Sequence, residues 1–270
     1  MTSSGFDRKS TLELLQFSED LPSLPDRFVK IQNIAQDPNS DASDLAKVIR
    51  SDQATTAMIL KFANSPAYNP SNTPISELSK AIARLGTNEA VHIATAMSLM
   101  YGMILPTGMA NIRMFWAHAF AVGLAAEYLA KEFDPQQQHC SHESAFMAGL
   151  LHDIGRAALG MRVDFSYFER ETGHLHEGSL MQAEVDHYGV SHAEAGMHLL
   201  RLWKFPDDLC QAVGDHHIAD SPLFLARVCY LANHFTNEHL PERTPFDDIS
   251  DLIMEKLTAS PPDTSILTAK

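Results

Sequence analysis

The stretch Phe146-Met147-Ala148-Gly149-Leu150-Leu151-His152-Asp153-Ile154-Gly155-Arg156 ends an apolar run with a histidine–aspartate pair. If the stretch is helical, Ala148 lies one turn before His152, and Gly149 lies one turn before Asp153. Both polar residues then share a face with small residues, which is typical of the interior of a helical domain. A buried carboxylate is costly unless its charge is paired or coordinates a metal ion. We therefore expect partners of Asp153 on other helices of the chain.

Helical periodicity dominates the rest of the sequence. Apolar residues recur with the spacing of a helical face at 45–49 and again at 75–85. Thr73-Pro74 has the residue types of a helix start, and Gly86 is typical of a helix end. Another helix is predicted from about residue 142 through the pair at 152–153. No alternating run of apolar and polar residues indicates a sheet, so the sequence predicts an all-α protein.

Further histidines fall on predicted helices of the second half of the chain. His118 and His216 each have an apolar residue one turn away, which places both on buried faces. A helix is predicted to open at Pro206 and to run through His216-His217. Ser191-His192-Ala193-Glu194 has the spacing of a capping box, which puts His192 in the first turn of a helix.

Imidazole and carboxylate groups together suit a divalent ion such as iron, manganese or zinc. Such an ion could bind phosphate and lower the pKa of a bound water, which is hydrolytic chemistry. Arg156, one turn after His152, would offer a charged donor to a phosphate oxygen. A single inward histidine is nevertheless more often a hydrogen-bonded core residue than a ligand, and His192 could be exposed in its first turn. From periodicity alone, a metal site and a set of core histidines stay equally open.

The charge balance argues against nucleic-acid binding. The chain has 20 Lys and Arg residues against 34 Asp and Glu residues, a formal net charge of −14. A protein that clamps phosphate backbones through a wide basic face needs the opposite balance. The longest weakly polar stretch, around 117–126, contains His118 and stops at Glu127. It is too short and too polar to span a bilayer, so no membrane association is predicted.

Cysteine usage and the N-terminal residues predict a cytoplasmic location. Cys140, Cys210 and Cys229 are an odd number without a CxxC spacing, which indicates free thiols in a reducing compartment. The first nine residues lack the apolar segment of a secretory signal.

A series of motifs is more informative than any one of them. In chain order they are Leu21-Pro22-Ser23-Leu24-Pro25, Ile49-Arg50-Ser51-Asp52, Phe62-Ala63-Asn64-Ser65-Pro66-Ala67-Tyr68, Ala81-Ile82-Ala83-Arg84-Leu85-Gly86, the stretch 146–156, and Trp203-Lys204-Phe205-Pro206 followed by His216-His217. Together they extend over roughly residues 12–236 and resemble the HDOD family. This family belongs to the HD superfamily, which also contains metal-dependent phosphohydrolases and the HD-GYP proteins.

The resemblance implies an N-terminal helical bundle packed on an HD-like helical domain. We place the N-terminal helical subdomain at residues 12–108 and the HD-like subdomain at 109–240. The segment 105–110, which contains a proline and a glycine, is the predicted boundary. Residues 241–270 are predicted to form a C-terminal extension that ends in a partly flexible tail.

The resemblance also implies a set of metal ligands. In catalytic HD proteins a helix histidine, the His-Asp pair and a later aspartate bind the ion. Asn233 stands where that later aspartate is expected, so a neutral amide replaces an anionic ligand. The predicted ligands are His118, His152 and Asp153, together with His192, His216 and His217, which resemble further histidines of the cyclic-di-GMP phosphodiesterases. The Asp-Gly-x-Gly-Tyr-Pro stretch of those enzymes is absent, because residues 218–222 read Ile-Ala-Asp-Ser-Pro.

Two functions stay open, and a metal- or ligand-sensing domain without catalysis is a third alternative. HDOD proteins are mostly assigned to signalling, which predicts a regulatory module that contacts signalling proteins in separate chains, with or without a bound metal. The alternative is a metal-dependent phosphohydrolase that acts on a phosphoester or nucleotide, with Asp153 and Arg156 as catalytic residues and a phosphate-containing small ligand. Asn233 favours the regulator, and the number of ligand-type residues favours the hydrolase.

Overall fold

A computed structural model describes residues 6–17, 24–66, 68–70, 73–102, 112–163, 177–241, 244 and 248–268. Within these ranges the secondary structure is helical without a strand, which confirms the predicted all-α class. The described helices are α1 (Arg8–Phe17), α2 (Asp26–Gln36), α3 (Ala42–Ile49), α4 (Gln53–Ala63), α5 (Leu78–Leu85), α6 (Thr87–Gly102), α7 (Ile112–Phe133), α8 (His142–Leu151), α9 (Ile154–Arg162), α10 (Glu177–Tyr188), α11 (His192–Leu202), α12 (Asp207–Gly214), α13 (Phe224–His239), α14 (Ile249–Ala259) and α15 (Ser265–Thr268).

The chain divides into two compact units. The smaller consists of Pro22–Ile104 and Pro245–Leu252 and contains α2 to α6. The larger consists of Met1–Leu21, Leu105–Thr244 and Ile253–Lys270 and contains α1, α7 to α13 and α15. The boundary predicted at 105–110 lies outside the described residues, as do residues 21–23 of the first motif.

The smaller unit is a set of short capped helices around an aliphatic core. The Asp41 side chain accepts the amide hydrogens of Ser43 and Asp44 at the start of α3, and Asp52 accepts that of Ala54 at the start of α4. These caps satisfy amides that have no partner within the helix. The core side chains are Ile31, Leu45, Ile49, Ile59, Phe62 and Ile82. As predicted, one apolar face of α5 is buried and the helix ends at Gly86, whose φ of 89° suits glycine.

The start predicted for α5 at Thr73-Pro74 is wrong, because residues 73–77 are not helical and α5 begins at Leu78. Asn64 holds this segment through a two-way hydrogen bond to Ile75: its Oδ1 accepts from the backbone nitrogen, and its Nδ2 donates to the carbonyl oxygen, both at 2.8 Å. Since this pairing uses both backbone groups of Ile75, the local preference of Thr-Pro for a helix start is overridden.

The larger unit is organised around the pair α7 and α8. A β-carbon on Gly149 would lie 2.6 Å from the carbonyl oxygen of Val122 and 2.7 Å from Cα of Gly123, so the two backbones are nearly in contact. Trp116, Phe120 and Phe146 are almost fully buried beside this contact region of the two helices. No described helix of the chain has both the length and the apolar character that a membrane crossing requires.

Helix α1 belongs to the larger unit although it comes first in the chain. Thr11 Oγ1 donates to the carbonyl oxygen of Tyr188 at 2.7 Å. The backbone nitrogen of Phe6 donates to the carbonyl oxygen of His187 at 2.9 Å. Helix α1 therefore lies outside the smaller unit, whose first segment is Pro22–Ile104. In the segment where a tail is predicted, residues 265–268 form α15, and Leu267 is buried.

Candidate metal centre

The His152-Asp153 pair lies in a turn between α8 and α9. The prediction that one helix runs through the pair is therefore wrong: α8 ends at Leu151 and α9 begins at Ile154. The carbonyl of Gly149, which a continuous helix would pair with the amide of residue 153, accepts a hydrogen bond from His152 Nδ1 at 2.7 Å. The turn lets the two side chains emerge together at the end of a buried helix.

His216-His217 occupy a similar position after α12. This helix ends at Gly214, with Asp215 as its C-cap, so the predicted extension through the two histidines is also wrong. His216 Nδ1 donates to the carbonyl oxygen of Val213 at 2.6 Å, which repeats the arrangement of His152 on Gly149. In both places a side chain satisfies a carbonyl near the helix end.

The larger unit brings all of the predicted ligand residues together. His118 comes from the middle of α7, His192 is the first residue of α11, and the remaining members come from the two turns. The ring centroids of neighbouring imidazoles are 5.2 Å apart for His118 and His152, 5.0 Å for His152 and His216, and 3.9 Å for His216 and His217. His192, for which exposure was an alternative, is 1% exposed.

Asp153 lies at the centre of the cluster. Its Oδ1 is 3.3 Å from Nε2 of His192 and 3.8 Å from Nε2 of His216. Its Oδ2 is 3.6 Å from Nε2 of His152 and 3.2 Å from Nη1 of Arg156. The carboxylate therefore faces three imidazoles and one guanidinium, which compensates the cost of its burial.

The environment favours an ionised Asp153 beside neutral rings of His152 and His216. Burial alone would raise the pKa of Asp153, but His152 and Arg156, with the other imidazoles, hold that pKa well below its ordinary value. Burial lowers the pKa of His152, and burial together with the neighbouring imidazoles lowers the pKa of His216 further. An anionic carboxylate and neutral imidazoles are the forms in which these groups bind metal ions.

Two buried nitrogen atoms of the cluster lack a hydrogen-bond partner within the part of the chain that the structure describes. They are Nε2 of His152 and Nε2 of His216, in residues with 0% exposure. A backbone carbonyl can only accept, so Nδ1 of each ring must be the donor, and in a neutral ring Nε2 then carries a lone pair. Two buried lone pairs next to a carboxylate are a donor set that fits a divalent cation.

Glu184 is a member of the site that the sequence did not predict. This fully buried residue of α10 accepts hydrogen bonds through Oε2 from the backbone nitrogen and from Nδ1 of His192, both at 2.7 Å. A carboxylate behind a histidine fixes the ring tautomer and makes its other nitrogen a better metal ligand. The available signal was its position between Leu180 and Tyr188, four residues from each, which puts a carboxylate on a buried stripe.

Asn233 occupies the cluster beside His118. Its Oδ1 lies 3.1 Å from His118 Nε2 and accepts from Nδ2 of Asn237 at 3.2 Å. The residue that replaces the expected aspartate is therefore at the predicted place, but it hydrogen-bonds a predicted ligand through a neutral group. Possible donor groups for an ion nevertheless remain on both sides of Asp153, in the sets His118–His152–Asp153 and His192–His216–His217.

The match to a family model decides the membership of the chain. The model of the HDOD domain matches residues 21–219, well over half of the chain. The chain belongs to the HDOD family. A curated uncharacterized protein of Treponema pallidum (strain Nichols) is 24% identical to this HDOD chain over 207 residues. That match includes 74% of this chain and 38% of the Treponema protein, so the chain spans well under two thirds of that relative's length.

Solved structures share the fold of this HDOD chain. An HDOD domain protein of unknown function from Geobacter sulfurreducens superposes with a TM-score of 0.68 at 22% identity, over 94% of this chain and 95% of the other. A protein of Shewanella amazonensis SB2B, described as a presumed phosphohydrolase, superposes with a TM-score of 0.64 at 19% identity, over 90% and 93% of the two chains. At these identities the likeness shows the common helical fold.

Proposed function

We propose that this HDOD domain binds a divalent metal ion with its histidine–aspartate cluster and hydrolyses a phosphoester there. The observation that carries the proposal is a buried carboxylate surrounded by imidazoles. Two of these, His152 and His216, have buried Nε2 atoms without a hydrogen-bond partner among the described residues, 3.6 and 3.8 Å from the oxygens of Asp153. Leaving such atoms without a partner is costly, and imidazole with carboxylate suits iron, manganese or zinc as the partner.

The residues around the cluster have distinct roles in this proposal. Asp153 supplies the negative charge that attracts the cation, and Glu184 orients His192 toward the same point. Arg156 holds Asp153 on one side, and its side chain is 25% exposed, so its guanidinium can also donate to an oxygen of a phosphate-containing ligand. A bound divalent ion supplies a water of lowered pKa and neutralises phosphate charge.

Access to the cluster is consistent with a small ligand. His118, Arg156 and His217 are partly exposed, whereas His152, His192 and His216 are buried behind them. A phosphoester that reached the partly exposed residues would place its anionic oxygens beside the Arg156 guanidinium. The buried residues would then hold the metal ion away from bulk water, which strengthens its electrostatic effect.

The first experiment is the metal content of the chain purified without added metal and with oxygen excluded. We expect roughly one or more equivalents of iron, manganese or zinc in the wild type and little in Asp153→Ala. Asp220→Ala, which removes an exposed carboxylate, is the matched control and should keep the metal. A metal-free wild type whose melting temperature does not rise when these ions are added would overturn the proposal.

Hydrolysis needs its own measurement on the metal-loaded chain. p-Nitrophenyl phosphate and bis(p-nitrophenyl) phosphate report monoester and diester hydrolysis without a known substrate. Turnover that is lost in Asp153→Ala and reduced in Arg156→Ala supports the catalytic proposal. Metal binding without turnover of phosphoesters, nucleotides or cyclic dinucleotides would exclude it and leave metal binding intact.

The hydrogen bond between His118 and Asn233 favours a second candidate, a regulatory module without turnover. Asn233 replaces an anionic ligand by a neutral amide, which weakens one side of the cluster. In this case the cluster stabilises a signalling domain that contacts proteins in separate chains, in the cytoplasm, where the three free and buried cysteines would stay reduced. Two results together would distinguish the regulatory module from the hydrolase. One is binding of a defined signalling protein that the Asp153→Ala variant retains, and the other is the absence of phosphoester turnover.

A further inference from the structure

The two oxygens of Asp153 divide the cluster into two unequal sides. Oδ1 faces His192 and His216 at 3.3 and 3.8 Å, with His217 beside them; we call these three residues the three-histidine side. Oδ2 faces His152 at 3.6 Å, with His118 beyond it; we call these two residues the His118 side. The sides differ in charge and in hydrogen bonding.

We propose that a single metal ion is bound, that it occupies the three-histidine side together with Asp153 Oδ1, and that Asn233 keeps His118 from acting as a ligand. Of the two unpartnered imidazole nitrogens, Nε2 of His216 then bonds the ion, whereas Nε2 of His152 stays beside Asp153 Oδ2 at 3.6 Å. This inference rests on the proposed metal binding and states where in the cluster the ion lies. It departs from the ligand set expected from the His-Asp signature, in which His118 and the residue at position 233 are both ligands.

The donor atoms of the three-histidine side have the spacing of ligands on one ion. Nε2 of His192 is 2.9 Å from Nε2 of His217 and 3.3 Å from Asp153 Oδ1, which in turn is 3.8 Å from Nε2 of His216. With bonds of about 2.1 Å, ligands at right angles lie about 3.0 Å apart, and ligands at the tetrahedral angle about 3.4 Å apart. The separations of 2.9 and 3.3 Å match these values, and that of 3.8 Å corresponds to a ligand–metal–ligand angle wider than tetrahedral.

Two rings of this side, those of His192 and His216, are also held in the form that binds metal. Nδ1 of His216 donates to a backbone carbonyl, and Nδ1 of His192 hydrogen-bonds the carboxylate of Glu184, so Nε2 of each neutral ring carries a lone pair. Glu184 adds a second negative charge close behind His192. His192 and His216 therefore offer oriented lone pairs beside two carboxylates. Nε2 of His217 donates to the lone pair of His192 Nε2 at 2.9 Å, and the ion would replace this shared proton between the two nitrogens.

The His118 side is less suited to a cation on three counts. Nε2 of His118 is hydrogen-bonded to Oδ1 of Asn233, and a nitrogen that donates to an amide oxygen carries a proton rather than a lone pair. The guanidinium of Arg156 lies 3.2 Å from Asp153 Oδ2, so a fixed positive charge stands on this side. Asn233 also contributes no negative charge where an aspartate would.

The test compares variants of the two sides in the full chain. The protein is stripped with a chelator, reloaded with Mn²⁺ alone and desalted, and the bound metal is measured by elemental analysis and by electron paramagnetic resonance. We expect about one equivalent in the wild type, with the spectrum of an isolated ion rather than of a coupled pair. His118→Ala should keep that equivalent, whereas His217→Ala should weaken binding by about 10-fold or more.

Asn233→Asp gives an independent result that does not depend on removing a ligand. It restores a carboxylate on the His118 side, so the bound metal should rise to about two equivalents and the spectrum should become that of a coupled pair. Asn237→Asp adds the same charge one helical turn away and should stay at about one equivalent. Circular dichroism of each apo variant checks that the helices are retained.

Three results would overturn the inference. The first is loss of the metal in His118→Ala with retention in His217→Ala, which would leave the proposed metal binding standing. The second is two equivalents in the wild type, which would also leave it standing. The third is an Asn233→Asp chain that stays at one equivalent. No bound metal in the wild type under any of these conditions would remove both the inference and the proposed function.

Discussion

The backbones of Gly155 and His192 are in close contact, and this contact determines how near His192 lies to Asp153. A β-carbon on Gly155 would overlap the carbonyl oxygen of His192 and would lie 2.5 Å from the amide nitrogen of Gly196. Helices α9 and α11 therefore pack backbone against backbone. This contact brings the first turn of α11, which carries His192, next to the turn that carries Asp153.

Replacing Gly155 by alanine should destabilise the chain and disturb the cluster. The new methyl group meets backbone atoms that can move only if α9 and α11 separate, so we expect a loss of about 3 kcal/mol in the free energy of unfolding. Urea denaturation of the metal-free protein measures it. In the control Gly214→Ala, the β-carbon would meet Sδ of Met197 at 2.8 Å, the far part of a flexible side chain, and the loss should be much smaller. Equal losses in the two variants would contradict the role of the backbone contact.

Replacing Glu184 by glutamine should weaken metal binding while retaining the fold. The substitution keeps the size of the side chain but removes the charge that orients His192 and makes its Nε2 a better donor. We expect the affinity for Zn²⁺ or Mn²⁺ to fall by about 10- to 100-fold, measured by competition with a chelator. Glu194→Gln is the control, because Glu194 pairs with Arg8 rather than with a histidine of the cluster. An unchanged affinity in Glu184→Gln would show that His192 needs no support from this carboxylate.

Replacing Asn64 by alanine should destabilise the smaller unit. The variant loses the hydrogen bonds to both backbone groups of Ile75 and a third one to the carbonyl oxygen of Leu60 at 2.8 Å. Unpaired groups of this kind cost about 1–3 kcal/mol each when they stay buried, so we expect a total loss of about 2–4 kcal/mol in chemical denaturation. Asn39→Ala, which removes an exposed hydrogen bond to Asp37, should cost far less. Similar losses for Asn64 and Asn39 would argue against a structural role of the Asn64 side chain.

Asp134 should make the stability of the larger unit depend on pH. Burial acts to raise its pKa, but the amides of His139, Cys140 and Gln138 donate to its carboxylate and lower that pKa from 3.8 to about 2. Because the pKa of Asp134 is lower in the folded than in the unfolded state, the ionised carboxylate stabilises the fold above the unfolded-state pKa. This stabilisation is lost as the pH falls from about 4 to about 2. Asp134→Asn should therefore lose about 1–2 kcal/mol at pH 7.

The difference in unfolding free energy between wild type and Asp134→Asn should shrink as the pH approaches the folded pKa. Urea denaturation at pH 7, 5, 4 and 3 measures this difference. Asp186→Asn, which changes an exposed carboxylate of α10, is the control and should differ little from the wild type at each pH. A difference for Asp134→Asn that stays constant down to pH 3 would contradict the assignment.

Much of the helical structure and most of the cluster could be predicted from the sequence. The all-α class, the end of α5 at Gly86 and the N-cap Ser191 of α11 depend on local spacing and on capping residues. Local signals of this kind act within one or two helical turns, so a single sequence carries them. An aspartate among apolar residues is costly wherever the chain folds, so the need of Asp153 for partners followed from local sequence. The full set of ligand-type histidines came from the resemblance to the HDOD family and its relatives.

The tertiary structure alone decided where three helices begin or end and how the cluster is arranged. The start of α5 depends on Asn64, and the breaks at His152-Asp153 and His216-His217 accompany side-chain hydrogen bonds to the preceding helix. Glu184 became part of the site only when α10 was placed behind His192. The sequence by itself determined the helical class and which residue types could act as ligands in a metal site. Only the packing of helices distant in sequence decided which side of Asp153 each imidazole faces, because those distances are set by backbone contacts such as that of Gly155 with His192.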